Sequence, residues 1–139
     1  MSSSLDGLPR TSDRLYDDLL LPDETIAVRA EARDFATRML APRSAELNCA
    51  EESRDVFPRD ILSAMADAGL YQLPFGADVG GRGLQFPMLA AATLLEEMAY
   101  FSPGVASALY DGQALLVGRT LDAAPQHIRG EYLPRLIRG

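Results

Sequence analysis

Residues 57–84 constrain this chain more than any other stretch. They run from a proline-opened turn through an apolar exit into a loop with Gly76, Gly80, Gly81 and Gly83 inside eight residues. The Pro58 ring is pre-set for a helix's first turn, and Asp60 favours the positive helix end. Ile61, Leu62, Met65 and Ala66 then fall on one face, and Gly69 supplies the left-handed stop that many helices use. Between Leu70 and Phe75 only Gln72 is strongly polar. The glycines that follow give the backbone conformations that a Cβ forbids. A buried helix end is therefore handed to a tight loop, and no long uninterrupted element can cross this region.

The rest of the chain reads as helices. Residues 1–20 mix serine, aspartate, glycine and proline and are expected to be a mobile leader that docks late. The body, 21–139, opens with Val28, Ala32, Phe35 and Met39 on one face of a helix to about Leu40, which Pro42 ends or kinks. Residues 48–55 are polar and acidic, a connection. A helix over 86–101 is apolar on all sides between 89 and 95 apart from Thr93, and one over 104–121 is nearly as apolar, which places both in an interior. Pro125 and Gln126 open a last helix with Ile128, Tyr132, Leu133, Leu136 and Ile137 inside and Arg129, Arg135 and Arg138 outside. No alternating strand-length segment with turn signals occurs. The expectation is all-α, an up-and-down bundle of about five helices.

The 139 residues suit one domain, with a formal charge of −7. The 13 basic residues are scattered among 20 acids, so no basic stripe exists for nucleic acid or an anionic membrane. Cys49 is the sole cysteine, which excludes an intrachain disulfide, a CxxC pair and a cysteine zinc cluster and fits the reducing cytoplasm. Ser2, Ser3, Ser4 and Asp6 stand where a signal peptide needs a basic and then apolar start. The most apolar window, 105–121, is broken by Asp111, Gln113 and Arg119. A soluble cytoplasmic chain without a membrane span is expected.

Few residues offer chemistry. The Gly80–Gly83 loop lacks the GxxxxGK[ST] and GxGxxG spacings and any strand before it, so a structural inter-helix turn is the better reading than a phosphate cradle. His127 stands without a second histidine or a nearby cysteine and reads as a surface residue rather than a base or metal ligand. Glu96 and Glu97 are neighbours, about 100° apart around a helix, and cannot flank one reacting atom. One is expected to be solvated, and the other to cap a helix or pair with an arginine from elsewhere in the fold. No GxSxG elbow is present.

In order along the chain stand Leu21-Pro22-Asp23-Glu24, Arg33-Asp34-Phe35-Ala36 and Leu40-Ala41-Pro42-Arg43. Phe57-Pro58-Arg59-Asp60-Ile61-Leu62, Ala68-Gly69-Leu70 and Gly80-Gly81-Arg82-Gly83-Leu84 follow. Leu94-Leu95-Glu96-Glu97-Met98-Ala99 and Tyr132-Leu133-Pro134-Arg135-Leu136 complete the series. In this order and spacing the sequence resembles the N-terminal helical domain of the flavin-dependent acyl-CoA dehydrogenases, from about Leu20 to Gly139. One departure is visible: Ala77-Asp78-Val79-Gly80-Gly81 stands where the family usually reads Glu-Glu-Tyr-Gly-Gly.

The resemblance implies α,β-dehydrogenation of an acyl thioester. In the family a glutamate takes the α-proton while the β-hydrogen leaves as hydride to FAD. It also implies that the flavin contacts and the catalytic glutamate lie in a following β-domain and a C-terminal helical domain. This chain stops at Gly139, where that β-domain would begin, so no catalytic, cofactor-binding or metal residue is expected within it, and by itself it should be inactive. The remaining domains or a partner subunit, in a homo-oligomeric enzyme, would complete it. The segment 104–121 corresponds to a wall of the family's acyl pocket. By that likeness Tyr110, Asp111 and Ala114 are the substrate-facing candidates, with Leu109 and Leu115 behind them. The bulk of Tyr110 suggests a short or substituted acyl group. The alternatives are a non-catalytic helical interaction module or one subunit of a split enzyme.

Overall fold

Val28, Ala32, Phe35 and Ala36 recur at helical spacing and are buried on helix α1 (Asp23–Met39). This is the long first helix expected from the sequence. In the computed structural model, which describes residues 20–49, 51, 58–114 and 116–139, with backbone alone at 113 and 114, α1 packs along α4 (Pro87–Phe101). Ala90, Leu94 and Met98 of α4 meet that stripe in the main core. Each large apolar side chain so buried contributes about 1.5–3 kcal/mol. The expected leader, 1–19 of it, lies outside the described residues, as do Phe57 and most of the expected connection.

The entry to α4 is pinned and its last turn closed by groups from other elements, the latter because a helix leaves its last C=O groups without internal partners. At the start, the Glu24 carboxylate accepts from the N–H groups of Gln85 at 3.1 Å and Phe86 at 2.6 Å. At the end, Ser44 Oγ and Asn48 Nδ2 donate to the Phe101 carbonyl at 2.7 and 2.9 Å. These last two side chains belong to α2 (Ser44–Cys49), which the sequence reading did not separate from the connection. Pro42 kinks the chain: a 3₁₀ turn over Ala41–Arg43 leads from Leu40 into α2.

Helix α3 (Arg59–Asp67) buries Ile61 and Met65 and stops at Gly69, whose φ of +68° is the left-handed residue anticipated there. Tyr71 follows in a 3₁₀ turn and donates its hydroxyl to the Leu62 carbonyl at 2.8 Å. In the glycine loop the N–H groups of Gly80, Gly81, Arg82 and Gly83 donate to the carbonyls of Ala77, Gly76, Gln72 and Phe75. The loop is a self-bonded turn.

The single helix expected over 104–121 is three pieces. They are α5 (Pro103–Ala108), a π-helical segment (Leu109–Ala114) and α6 (Leu116–Asp122). The wider π turn explains a second correction, to the expectation that this helix is interior all round. Val105, Ala106 and Leu109 are buried, and α-helical continuation would carry that face on through 116. The π turn rotates it away, so Gly118 is buried while Leu116 and Val117 are 53% and 47% exposed. In α7 (Gln126–Arg138) Leu133 and Ile137 close a small second core with Phe75 and Val79. The buried stripe of α7 centres on 133 and 137, so two side-chain assignments change. Tyr132 is exposed, and Arg129 is drawn inward to Asp78 at 2.8 Å and Asp122 at 2.9 Å. The all-α bundle of about five helices stands: α1, α3, α4, the broken α5–α6 run and α7, with α2 as a short addition.

Candidate functional site

A single residue, Ser102, joins α4 to α5, and its side chain caps the new helix by accepting from the Val105 N–H at 3.4 Å. The chain therefore doubles back sharply and leaves a shallow groove of about 460 Å³ between the two helices. From α4 come Ala92, Leu95, Glu96 and Ala99, at spacings that align on one helix face. From α5 come Ala106 and Ser107, and Tyr110 of the π segment, 42% exposed, completes the lining. The groove exists because alanines line it; larger side chains would fill it. π-turns within helices recur at functional sites, and this one carries a lining residue.

Two ion pairs tie the groove to α1. Arg33 holds Glu97, which is 2% exposed, through Nε to Oε2 at 3.2 Å and Nη2 to Oε1 at 3.0 Å. Arg29 donates to Glu96 Oε2 at 3.1 Å, with its Nε 3.9 Å from Glu97 Oε1. Both glutamates thus pair with arginines from elsewhere in the fold. Glu97 is structural, and Glu96 sits on the groove with its carboxylate held from behind.

The three substrate-facing candidates all lie on the π segment, but the structure does not treat them alike. Tyr110 lines the groove. Asp111 is exposed beside it and accepts a long hydrogen bond, 3.5 Å, from Ser107 Oγ. For Ala114 the backbone belongs to the π segment and the side chain lies outside the described residues, as does Leu115 altogether. Leu109 is fully buried in the main core. The sequence reading missed Ala92, Ala99 and Ala106. Their signal was alanine at helical spacing in segments apolar all round, which reads equally well as interior.

Other candidates have structural employment. The Arg82 guanidinium forms a two-pronged pair with Glu31 at 2.7 and 2.6 Å and also reaches the Ala68 carbonyl at 3.2 Å. With the loop amides also spent internally, nothing there is left to cradle a phosphate. His127 is exposed. Among the described residues no three His, Cys, Asp or Glu side chains gather as a metal site, and no helix is long and apolar enough to cross a membrane. Burial pushes the Tyr71 hydroxyl up to about 12, and the Arg129 guanidinium beside Asp78 holds that carboxyl below its usual range.

Residues 22–139 match the family described as "Acyl-CoA dehydrogenase, N-terminal domain". Over 85 residues the chain is 31% identical to a probable acyl-CoA dehydrogenase of Mycobacterium leprae (strain TN), an alignment covering 61% of this chain and 20% of that relative. The matched part of the chain spans only about a fifth of the relative's length.

Proposed function

The chain belongs to the acyl-CoA dehydrogenase family through its N-terminal domain, and on that premise we propose that it serves a flavin-dependent enzyme removing hydrogens from the α and β carbons of an acyl thioester. Its own contribution is one wall of the acyl pocket. The observation that carries this reading is the groove between α4 and α5, largely apolar and lined in part by Tyr110. Such pockets are mostly apolar with a few placed polar groups, here Glu96 and Ser107. By the family likeness Asp111 and Ala114 are assigned to the same wall.

FAD binding and proton abstraction are assigned to the domains beyond these residues. In support, the Gly80–Gly83 amides and the Arg82 guanidinium, the groups here best suited to phosphates, are already bonded within the fold. What these residues do for the reaction is to shape and dry the tail end of the pocket.

The test is the chain-length profile of the complete enzyme. Tyr110→Ala shifts preference towards longer or bulkier thioesters, by about 1–3 kcal/mol for each extra methylene accommodated. An unchanged profile removes Tyr110 from the pocket. The exposed pair Leu116 and Val117 favours a second reading, a helical module that binds a partner protein. Under that reading the enzyme's other domains, supplied in trans, leave the melting temperature of this chain unmoved.

A further inference from the structure

We propose that residues 13–19, which lie outside the described residues, dock as an amphipathic turn of helix on the outward face of α4, with Leu15, Tyr16 and Leu19 against Met88, Leu89 and Ala92. This does not rest on the acyl-wall reading.

The face is the first ground. Successive residues turn by about 100° in a helix, which puts Met88, Leu89, Ala92, Glu96 and Ala99 on one side of α4, and all five are exposed. Only Glu96 among them is charged. A helix ordinarily turns polar residues to water, and a contiguous exposed apolar face marks an interaction site. The neighbouring charges balance: Arg29 holds Glu96, and Arg33 holds the inward Glu97. An acidic segment is therefore not repelled.

The chain itself supplies the occupant. Residues 13–19 read Asp-Arg-Leu-Tyr-Asp-Asp-Leu, so Leu15, Tyr16 and Leu19 stand at i, i+1 and i+4 on one face, with Asp13, Arg14, Asp17 and Asp18 around the rest. Leu20, almost wholly exposed, stands at the edge of that face. Leu15 and Leu19 are about 6 Å apart along a helix, and so are Met88 and Ala92. Reach is short as well. The Glu24 carboxylate binds the N–H groups of Gln85 and Phe86, so the start of α1 lies against the entry to α4. From Leu19 to Glu24 the chain spans at most about 18 Å. So short a tether holds the segment at an effective concentration on the order of millimolar, which a second copy reaches only in concentrated solution.

The test uses the full chain with Cys49→Ser, at an exposed position, and with Arg14→Cys carrying a nitroxide on the charged side of the segment. In the isotopically labelled protein the amides of Met88, Leu89 and Ala92 are expected to broaden away. They return when Leu15→Asp and Leu19→Asp are added, which leave the tether unchanged, while the Leu133 and Ile137 amides report that the fold is intact. Broadening that survives the added pair reflects tethering alone and overturns the proposal, and amides that never broaden overturn it too. In a mixture of spin-labelled chains without isotope and isotope-labelled chains without nitroxide, the same amides stay sharp. Broadening there would assign the face to a second copy and would equally overturn the proposal.

Discussion

Gly81→Ala should be far more damaging than Gly80→Ala next to it, for reasons visible in the loop. At Gly80 the backbone takes φ +91°, and an added Cβ meets nothing within 4 Å. Only the left-handed conformation is penalised, about 1–2 kcal/mol. At Gly81 an added Cβ stands 2.1 Å from the Phe75 carbonyl oxygen and 2.3 Å from its carbon. Those are backbone atoms, so relief requires the loop to move. Movement loosens the bonds from Gly81 N to Gly76 O, from Arg82 N to Gln72 O and from Gly83 N to Phe75 O. At about 0.5–1.5 kcal/mol each, with part of the geometry recovered elsewhere, the loss is about 2–4 kcal/mol. Against a domain stability of about 5–15 kcal/mol this is a large fraction. Urea unfolding followed by far-ultraviolet circular dichroism reads it as a shift in midpoint of about 1–4 M at a slope near 1–2 kcal/mol/M. A Gly81→Ala midpoint equal to that of Gly80→Ala would refute the close-approach argument.

Three further outcomes follow from buried polar groups. Glu97→Gln costs about 2–3 kcal/mol, below the 3–5 typical of a fully buried pair because Arg33 is 37% exposed and can rehydrate. Glu96→Gln costs under about 1 kcal/mol, and equal urea midpoints for these two variants would contradict the division of roles. Thr25 is fully buried with its hydroxyl unbonded, so Thr25→Val, nearly the same shape, stabilises by about 1 kcal/mol; a loss of that size would show the hydroxyl to be satisfied. Tyr71 has its folded pKa raised to about 12 from 10.0, so its contribution is complete below pH 10 and is lost as pH rises through about 12. Tyr71→Phe flattens that alkaline loss while costing about 1 kcal/mol at neutral pH for the bond to Leu62, and an unchanged alkaline slope would count against it.

What the sequence revealed depended on how local the cause was. Gly69 and the glycine loop were legible because a positive φ is a requirement of one residue, written in its identity. The stripe of α1 was legible because period and composition agree. The π segment was not, since nothing in Leu109-Tyr110-Asp111-Gly112-Gln113-Ala114 marks a wider turn. Tyr132 and Arg129 were misassigned because their places depend on where the second core and the two aspartates stand, which are facts of tertiary packing. The groove was illegible for a different reason: it is made of side chains that stop short, and an alanine in an apolar helix looks the same whether it is packed or faces open space.

Helix α4 shows why such a site costs the fold little. Its inner face, Ala90, Leu94, Glu97 and Met98, is committed to the main core and to Arg33. Its outer face, Ala92, Glu96 and Ala99, lines the groove. The boundary between the two runs between adjacent glutamates: Glu97 points in and holds α1, while Glu96 points out and is held by it. A helix apolar on both faces would ordinarily be buried all round. Here two of the outward residues on the groove are alanines, while Met88, Leu89 and Tyr100 near the ends of the helix are 43%, 37% and 48% exposed, so α4 is committed to the core on its inner face alone. Substitutions along the outer face can therefore change what the groove accepts while the packing of α1 on α4 stays as it is.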